Sequence, residues 1–95
     1  VEWISALRDR RAVARINQRL LRLQAGNPGQ VEPVGEGVSE LKIDYGPGYR
    51  VYYLNRGDEL VILLGGGDKQ RQRRDIKNAL ELARDIRERG YDEES

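Results

Sequence analysis

Three groups of residues in this 95-residue chain have types and spacings that could do chemistry. In the first group, Lys42, Asp44, Arg50 and Tyr52 alternate with apolar residues on either side of Gly46-Pro47-Gly48. The alternation predicts two antiparallel strands joined by a turn, with these four side chains on the more solvated face. The cluster suits RNA, because Arg and Lys bind phosphates and a Tyr ring stacks on unpaired bases. The alternative is an ordinary cross-strand ion pair between Asp44 and Arg50, beside a half-exposed Tyr52.

The second group is a stripe of arginines on a predicted helix. It consists of Arg11, Arg15, Arg19 and Arg22. Their spacing of three or four residues places them on one side of the helix, and no acidic residue interrupts that side. Such a stripe could follow a phosphate backbone or bind an acidic partner protein. The alternative is a solvated, charged helix face.

The third group is Gly65-Gly66-Gly67-Asp68-Lys69, between a predicted strand and a predicted helix. Free amides at a helix N-terminus can hold an anion, although the spacing fits neither the Walker loop nor the dinucleotide-binding fingerprint. The alternative is a tight turn between the strand and the helix. The helix N-terminus and the nearby Arg71, Arg73 and Arg74 would both favour the neutral form of Lys69, so its amine could accept a proton.

The composition excludes several classes of site. Without His or Cys, the chain cannot build a Ser-His-Asp triad, a Cys nucleophile, an imidazole or thiolate zinc site, or a disulfide. The carboxylates show no metal-ligand spacing, and we expect Glu36 and Glu40 to be solvating charges. We predict no metal and no cofactor. The absence of Cys, of long apolar stretches and of a signal-peptide pattern predicts a cytoplasmic protein without a membrane partner.

The charge is distributed unevenly, although the formal net charge is only +1. Residues 1–30 carry six basic and two acidic side chains, whereas residues 31–68 carry three basic and seven acidic ones. The balance therefore leaves open whether the partner is a nucleic acid or a protein.

Apolar spacing indicates which elements must position these groups. Trp3, Ile4 and Leu7 fit one helical turn, and together they start a predicted helical hairpin. Asp9 is placed to cap the second helix, which we expect to end at residues 26–29.

Period-two patterns then predict three antiparallel strands, at residues 38–45, 49–54 and 60–64. A three-residue turn between the first two strands would pair Asp44 with Arg50. The third strand is apolar on both faces, so we expect it to be the most buried strand and to end at the glycines that follow it.

Asp68 is placed to cap a final helix that ends near residues 89–90, before an acidic tail at residues 91–95. We therefore predict one α+β domain over residues 1–95. In it, an N-terminal helical hairpin packs on a small antiparallel sheet with a C-terminal helix.

Four stretches carry a family resemblance: RLLRL at residues 19–23, GEGV at 35–38, ELKIDYGPGYRVYY at 40–53 and LLGGGDK at 63–69. In this order they resemble the addiction-module killer proteins of the HigB/Gp49-like group, in the RelE/ParE toxin superfamily. Members usually begin with a β-strand before the Trp-containing helix. This chain starts at Val1 without that strand, so the resemblance implies a sheet that is one strand short.

The resemblance implies a bacterial or phage type II toxin that cleaves mRNA, often on the ribosome, and is held inactive by an antitoxin. The antitoxin is usually a helix-turn-helix protein, through which the complex contacts operator DNA. Two alternatives remain open: a non-enzymatic ParE-like toxin that blocks a protein such as gyrase, and an inactive remnant that only binds antitoxin.

Carried over to matching positions, the resemblance gives Arg50 the role of stabilising the phosphate and Tyr52 that of stacking on or orienting a base. Lys69 would be the general base or acid of a metal-independent endoribonuclease, and Lys42 and Arg73 would bind phosphate. From the arginine stripe we add Arg11 and Arg15 as nucleic-acid-binding residues. We expect both Arg50 and Lys69 on solvated surfaces, where truncation changes stability little.

Overall fold

The computed structural model describes residues 2–56 and 60–89. The elements in chain order are α1 (Glu2–Ser5), α2 (Arg10–Gln24), β1 (Val31–Gly35), β2 (Val38–Ile43), β3 (Tyr49–Arg56), β4 (Leu60–Asp68), a 3-10 turn (Lys69–Arg71) and α3 (Gln72–Glu88). The predicted α+β class is confirmed, with a helical hairpin, an antiparallel sheet and a C-terminal helix. The predicted acidic tail lies outside the described residues.

Both ends of α2 follow from local chemistry. The Asp9 carboxylate accepts hydrogen bonds from the backbone amides of Arg11 at 2.9 Å and Ala12 at 3.3 Å. A side-chain cap of this kind is worth about 1 kcal/mol. At the other end, Gly26 has a φ of +87°, and the amides of Gly26 and Asn27 donate back to the last turn. This is a Schellman motif, in which glycine takes the left-handed position.

The sheet has the order β1-β2-β3-β4, and every neighbouring pair is antiparallel. The prediction of three strands was incomplete, because β1 is a fourth. Pro33 made that segment a poor strand candidate, since proline cannot donate a hydrogen bond to a neighbouring strand. The structure places Pro33 in an edge strand, where one side of the backbone has no neighbouring strand among the described residues that needs a hydrogen bond.

The prediction for β4 was wrong in two respects. β4 is an edge strand with half-buried residues at 61–64, and residues 51–54 of the central β3 are the buried ones. β4 also continues through the three glycines to Asp68, with Leu64 as the extra residue of a bulge between the Tyr52 and Tyr53 pairings. β4 has apolar residues on both faces because helices cover both faces of the sheet. It does not occupy a central position in the sheet.

The β2–β3 pairing differs from the predicted register by two residues. Lys42 lies opposite Arg50, and Ile43 lies opposite Tyr49, so the predicted Asp44 to Arg50 pairing is wrong. The connection is five residues long, since Ile43 is the last residue of β2 and Tyr49 the first of β3. A shift of two leaves every side chain on its predicted face, because side chains alternate with a period of two.

The sheet separates two apolar cores. On one face, α1 and α2 cover Leu41, Ile43, Tyr49, Val51 and Tyr53. On the other face, α3 covers Val38, Tyr52 and Leu54 through Ala79 and Ala83. The face that we predicted to be solvated is therefore largely covered by α3.

The C-terminal half of α3 is fastened to the turn between β1 and β2. Arg84 donates two hydrogen bonds to the Glu36 carboxylate, at 2.8 and 2.6 Å, and Arg87 donates another at 3.1 Å. The hydrogen bond from Arg84 holds the pKa of Glu36 below its ordinary value. The expectation that Glu36 is only a solvating charge is wrong.

Two glycines of β4 permit close packing on opposite faces. A Cβ built on Gly66 would lie 2.6 Å from the Trp3 ring and 2.8 Å from the carbonyl oxygen of Arg50. A Cβ built on Gly67 would lie 2.2 Å from Oδ2 of Asp75, on α3. That oxygen is buried and has no hydrogen-bond partner among the described residues, and burial raises the pKa of Asp75.

Gly66→Ala should lower the free energy of unfolding by about 1–3 kcal/mol, because the new methyl group meets both a ring and the backbone. Gly67→Ala should lower the free energy of unfolding by less when it is combined with Asp75→Ala, because that change removes the carboxylate that the new methyl group meets. Gly66→Ala should lower the free energy of unfolding by the same amount with or without Asp75→Ala. Urea unfolding of the single and double variants measures both effects. Relief of Gly66→Ala by Asp75→Ala would contradict this packing argument.

Candidate functional site

An open cleft of about 450 Å³ lies where β2, β3 and the start of the 3-10 turn meet. It is lined by Gln30, Lys42, Asp44, Gly46, Pro47, Gly48, Arg50 and Lys69. Three of the predicted site residues, Lys42, Arg50 and Lys69, are thus brought together, although they come from different elements. A second hollow adjoins the cleft at Pro47 and Lys69.

The backbone explains why these three side chains meet. The β2–β3 register sets Lys42 directly opposite Arg50. Gly48 lies between Arg50 and Lys69, since a Cβ built on it would be 3.5 Å from Nη1 of Arg50 and 3.5 Å from Cβ of Lys69. Its φ of +84° and its lack of a side chain both favour glycine here. Asp68 caps the 3-10 turn through a 3.2 Å hydrogen bond from the Arg71 amide, which fixes the backbone that carries Lys69.

The lining of the cleft is cationic, with three basic side chains and the carboxylate of Asp44. Lys42 is half-buried, and its amine donates a hydrogen bond to Glu32 of the neighbouring β1. This hydrogen bond lowers the pKa of Glu32. Lys69 is exposed, so its amine can meet a molecule in the cleft directly. An anion such as a phosphodiester fits this charge pattern.

Arg50 is more enclosed than we predicted. Its side chain is 12% exposed, Nη1 donates to the Tyr49 carbonyl oxygen at 3.1 Å, and Nε lies 3.9 Å from Oε2 of Glu40. The expectation that Arg50 lies on a solvated surface, where truncation is nearly silent, is therefore wrong. The physical reason is that α3 covers this face of the sheet and buries the carboxylate beside Arg50.

Glu40 and Tyr52 form a buried polar pair behind the cleft. Glu40 is 1% exposed and Tyr52 is 0% exposed. Oε2 of Glu40 accepts hydrogen bonds from the Tyr52 hydroxyl at 3.0 Å and from the Gln72 side-chain amide at 2.7 Å. Burial, followed by the charge of Glu40, raises the pKa of Tyr52.

The burial of this pair shows that two predictions were wrong. Tyr52 is not half-exposed, and its ring cannot stack on a base while α3 covers it. Glu40 is not a solvating charge. The strand alternation contained a usable signal for Glu40, because it places Glu40 on the same face as the apolar Val38. What hides both side chains is the packing of α3, which alternation does not report.

The remaining predicted residues do not line the cleft. Arg73 is exposed on the first turn of α3, and Arg11 and Arg15 are exposed on α2. The guanidinium of Arg15 lies 4.9 Å from the centre of the Tyr45 ring, in a cation–π contact. Tyr45 also donates a hydrogen bond to the Asp9 carboxylate at 3.2 Å. Arg11 and Arg15 form a basic surface on α2, separate from the lining of the cleft.

Arg19 interrupts the arginine stripe. Its guanidinium donates to the backbone carbonyl oxygens of Lys42 at 2.7 Å, Pro28 at 2.9 Å and Gln30 at 3.3 Å. It therefore holds the loop before β1 against the end of β2, next to the cleft. Sequence spacing missed this role, because the three carbonyl groups are distant from Arg19 along the chain.

Two further features are absent from the residues that the structure describes. In residues 2–56 and 60–89, no three His, Cys, Asp or Glu side chains come together where they could hold a metal ion. No helix within the same ranges is long and apolar enough to span a bilayer.

Comparison with known proteins gives the chain a family. The family model described as "Phage derived protein Gp49-like (DUF891)" matches residues 2–88. An uncharacterized protein of Haemophilus influenzae is 52% identical over 84 residues, which cover 88% of this chain and 85% of that protein. No solved structure gives a significant match. The Gp49-like family is related to addiction-module proteins, is toxin-like in general, of the RelE and HigB type, and implies an antitoxin partner. With nearly its whole length matched, the chain belongs to the Gp49-like family of phage-derived proteins.

Proposed function

We propose that this protein is the toxin of a type II toxin–antitoxin system and inhibits translation as a metal-independent endoribonuclease on mRNA in the cytoplasm. The observation that carries the proposal is the convergence of Lys42, Arg50 and Lys69 in one open cleft. Three cations from different elements would bind a phosphodiester and stabilise the additional negative charge that develops as it is cleaved. The toxin-like character of the family supports the same conclusion.

The proposed reaction is an internal transesterification. The ribose 2′-oxygen attacks the adjacent phosphorus, and the bond from phosphorus to the 5′-oxygen breaks. As the general base, the amine of Lys69 takes the proton of the 2′-hydroxyl. The departing 5′-oxygen takes a proton from water, and the hydroxide formed in this way removes the proton from Lys69. The products are a 2′,3′-cyclic phosphate and a 5′-hydroxyl end, so the reaction needs no external oxidant, reductant or metal.

Arg50 and Lys42 would stabilise the phosphoryl oxygens as their negative charge grows. Arg50 cannot be the proton acceptor, because a guanidinium stays protonated. A well-placed donor to a developing anion is worth about 2.7–4 kcal/mol. The exposed Arg73, Arg11 and Arg15 would bind RNA phosphates farther from the cut, or acidic groups on the antitoxin.

The proposed antitoxin is a helix-turn-helix protein that carries an acidic segment, and operator DNA is bound only through the complex. The exposed positive surface on α2 supports an acidic partner. Arg11, Arg15 and Arg22 are all exposed there.

Lys69→Ala should lower the rate of RNA cleavage by on the order of 10²-fold or more, because it removes the proton acceptor. Lys77→Ala is the matched control, since Lys77 is an exposed lysine of α3 outside the cleft lining. The measurement is cleavage of mRNA on translating ribosomes, with the 5′ ends mapped and tested for a free 5′-hydroxyl. Inhibition of gyrase supercoiling without any cuts would overturn the proposal in favour of a protein-blocking toxin.

Arg50→Lys should lower the cleavage rate by roughly tenfold or more while the protein stays folded, because lysine keeps a charge near Glu40 but loses the planar fork of donors. Arg50→Ala should in addition lower the free energy of unfolding by about 1–3 kcal/mol, since it leaves a buried carboxylate without its cation. Thermal unfolding and cleavage assays on both variants separate the two effects. Equal stability of Arg50→Ala and the wild type would contradict the role given to Glu40 in the fold.

Arg11→Glu together with Arg15→Glu should slow antitoxin association by roughly tenfold or more at low salt, with little change in dissociation. Arg19 is excluded from the test because its reversal would break backbone contacts. The control reverses two exposed basic residues of α3, Arg74 and Lys77. Stopped-flow association at several ionic strengths is the measurement. An unchanged rate would show that the α2 surface is only a solvated helix face.

A further inference from the structure

We propose that Glu40 is a positioning residue for Arg50, which it aims into the cleft from beneath α3, with Tyr52 and Gln72 as the donors that hold it in place. The proposal rests on the proposed function, because it assigns Glu40 a task in the same site. The geometry of Arg50, by contrast, does not depend on whether RNA is the substrate.

Glu40 needs a cation beside its carboxylate. Glu40 is 1% exposed, and an ionised carboxylate taken out of water is costly unless it is paired and hydrogen-bonded. Tyr52 and Gln72 supply two hydrogen bonds to Oε2, but neither carries a charge. Within residues 2–56 and 60–89, Arg50 supplies the cation within ion-pair distance.

The Arg50 guanidinium is divided between two environments. Its Nε is buried, lies 3.9 Å from Oε2 of Glu40 and has no hydrogen-bond partner among the described residues. Its Nη1 donates a 3.1 Å hydrogen bond to the Tyr49 carbonyl oxygen and lies near Gly48 at the cleft, 3.5 Å from where a Cβ would stand. Attraction to Glu40 holds one edge of the rigid guanidinium plane, and together with the hydrogen bond to Tyr49 it orients the other edge beside the cleft.

Glu40 is itself held in place by residues of three elements. It belongs to β2, Tyr52 lies directly opposite it on β3, and Gln72 is the first residue of α3. Fixed partners of this kind preorganise a charged group before any substrate arrives.

Glu40 does not serve as the proton acceptor in this scheme. Its carboxylate is closed to solvent, and the oxygen nearest Arg50 already accepts two hydrogen bonds. A substrate in the cleft would meet Arg50 before it could meet Glu40. The carboxylate therefore acts through Arg50.

The test compares Glu40→Gln with Glu36→Gln in the full chain. Both changes remove one carboxylate that contacts an arginine, but Glu36 holds the far end of α3 and lies outside the cleft lining. Two readouts are measured on each variant: kcat and KM for RNA cleavage, and 15N relaxation of the Arg50 Nε–H signal, which is identified by its loss in Arg50→Lys. The relaxation measurement requires no substrate.

We expect Glu40→Gln to lower kcat by on the order of 10–100-fold, the scale of a misplacement of about 1 Å, and to leave KM within about threefold. The Arg50 Nε–H should become more mobile. Glu36→Gln should change neither readout, even if it lowers the melting temperature by a similar amount. An Arg50 Nε–H as rigid in Glu40→Gln as in the wild type would overturn the proposal, as would equal losses of kcat in the two variants.

Failure of the proposed function gives a different result. The wild type could cut no RNA and still have an Arg50 Nε–H that is rigid and becomes more mobile in Glu40→Gln. That result would support the positioning role of Glu40 and overturn the nuclease function. If Glu40→Gln does not fold, Tyr52→Phe decides by the same two readouts, because it removes one donor and leaves the charge. Its expected effect is a smaller loss of kcat, about 3–10-fold, with a looser Arg50, and an unchanged Arg50 would overturn the proposal.

Discussion

Glu40 lies where β2, β3 and the first turn of α3 meet, and its carboxylate is removed from water. Because a buried charge is tolerated only with a counter-charge and hydrogen bonds, Arg50, Tyr52 and Gln72 must all be in place around it. The same contacts dock the start of α3 and orient the side chain that faces the cleft. The packing of this face and the geometry of the candidate site therefore depend on one carboxylate.

The glycines of β4 meet a second constraint, which is the distance between layers. Helices cover both faces of the sheet, and Gly66 and Gly67 let Trp3 and Asp75 approach the strand from opposite sides. By sequence alone the run of three glycines is compatible with an anion-binding loop or a tight turn, but the structure continues β4 through it. The glycines allow close packing in this part of the chain. The residue that lines the cleft is Lys69, which follows Asp68.

The candidate site is a matter of local arrangement rather than of total charge. The chain has a formal net charge of +1, yet Lys42, Arg50 and Lys69 line one cleft with a single carboxylate among them. The basic surface on α2 is distinct from this cleft, and Arg19 within it serves the backbone. The proposed function assigns the cleft to the phosphodiester that is cut, and the surface on α2 to the antitoxin or to RNA phosphates farther from the cut.

Local chemistry in the sequence was enough to predict the Asp9 cap, the end of α2 just before Gly26 and the faces of the β2–β3 hairpin, because each depends on residues a few positions apart. The sequence also singled out Arg50 and Lys69, whose meeting in one cleft the tertiary structure then showed. Only the tertiary structure decided the register of the hairpin, the edge position of β4 and the burial of Glu40 and Tyr52. Alternation assigns a side chain to a face, but whether that face meets water depends on a helix that the chain supplies more than thirty residues later, as Gln72 does for Glu40.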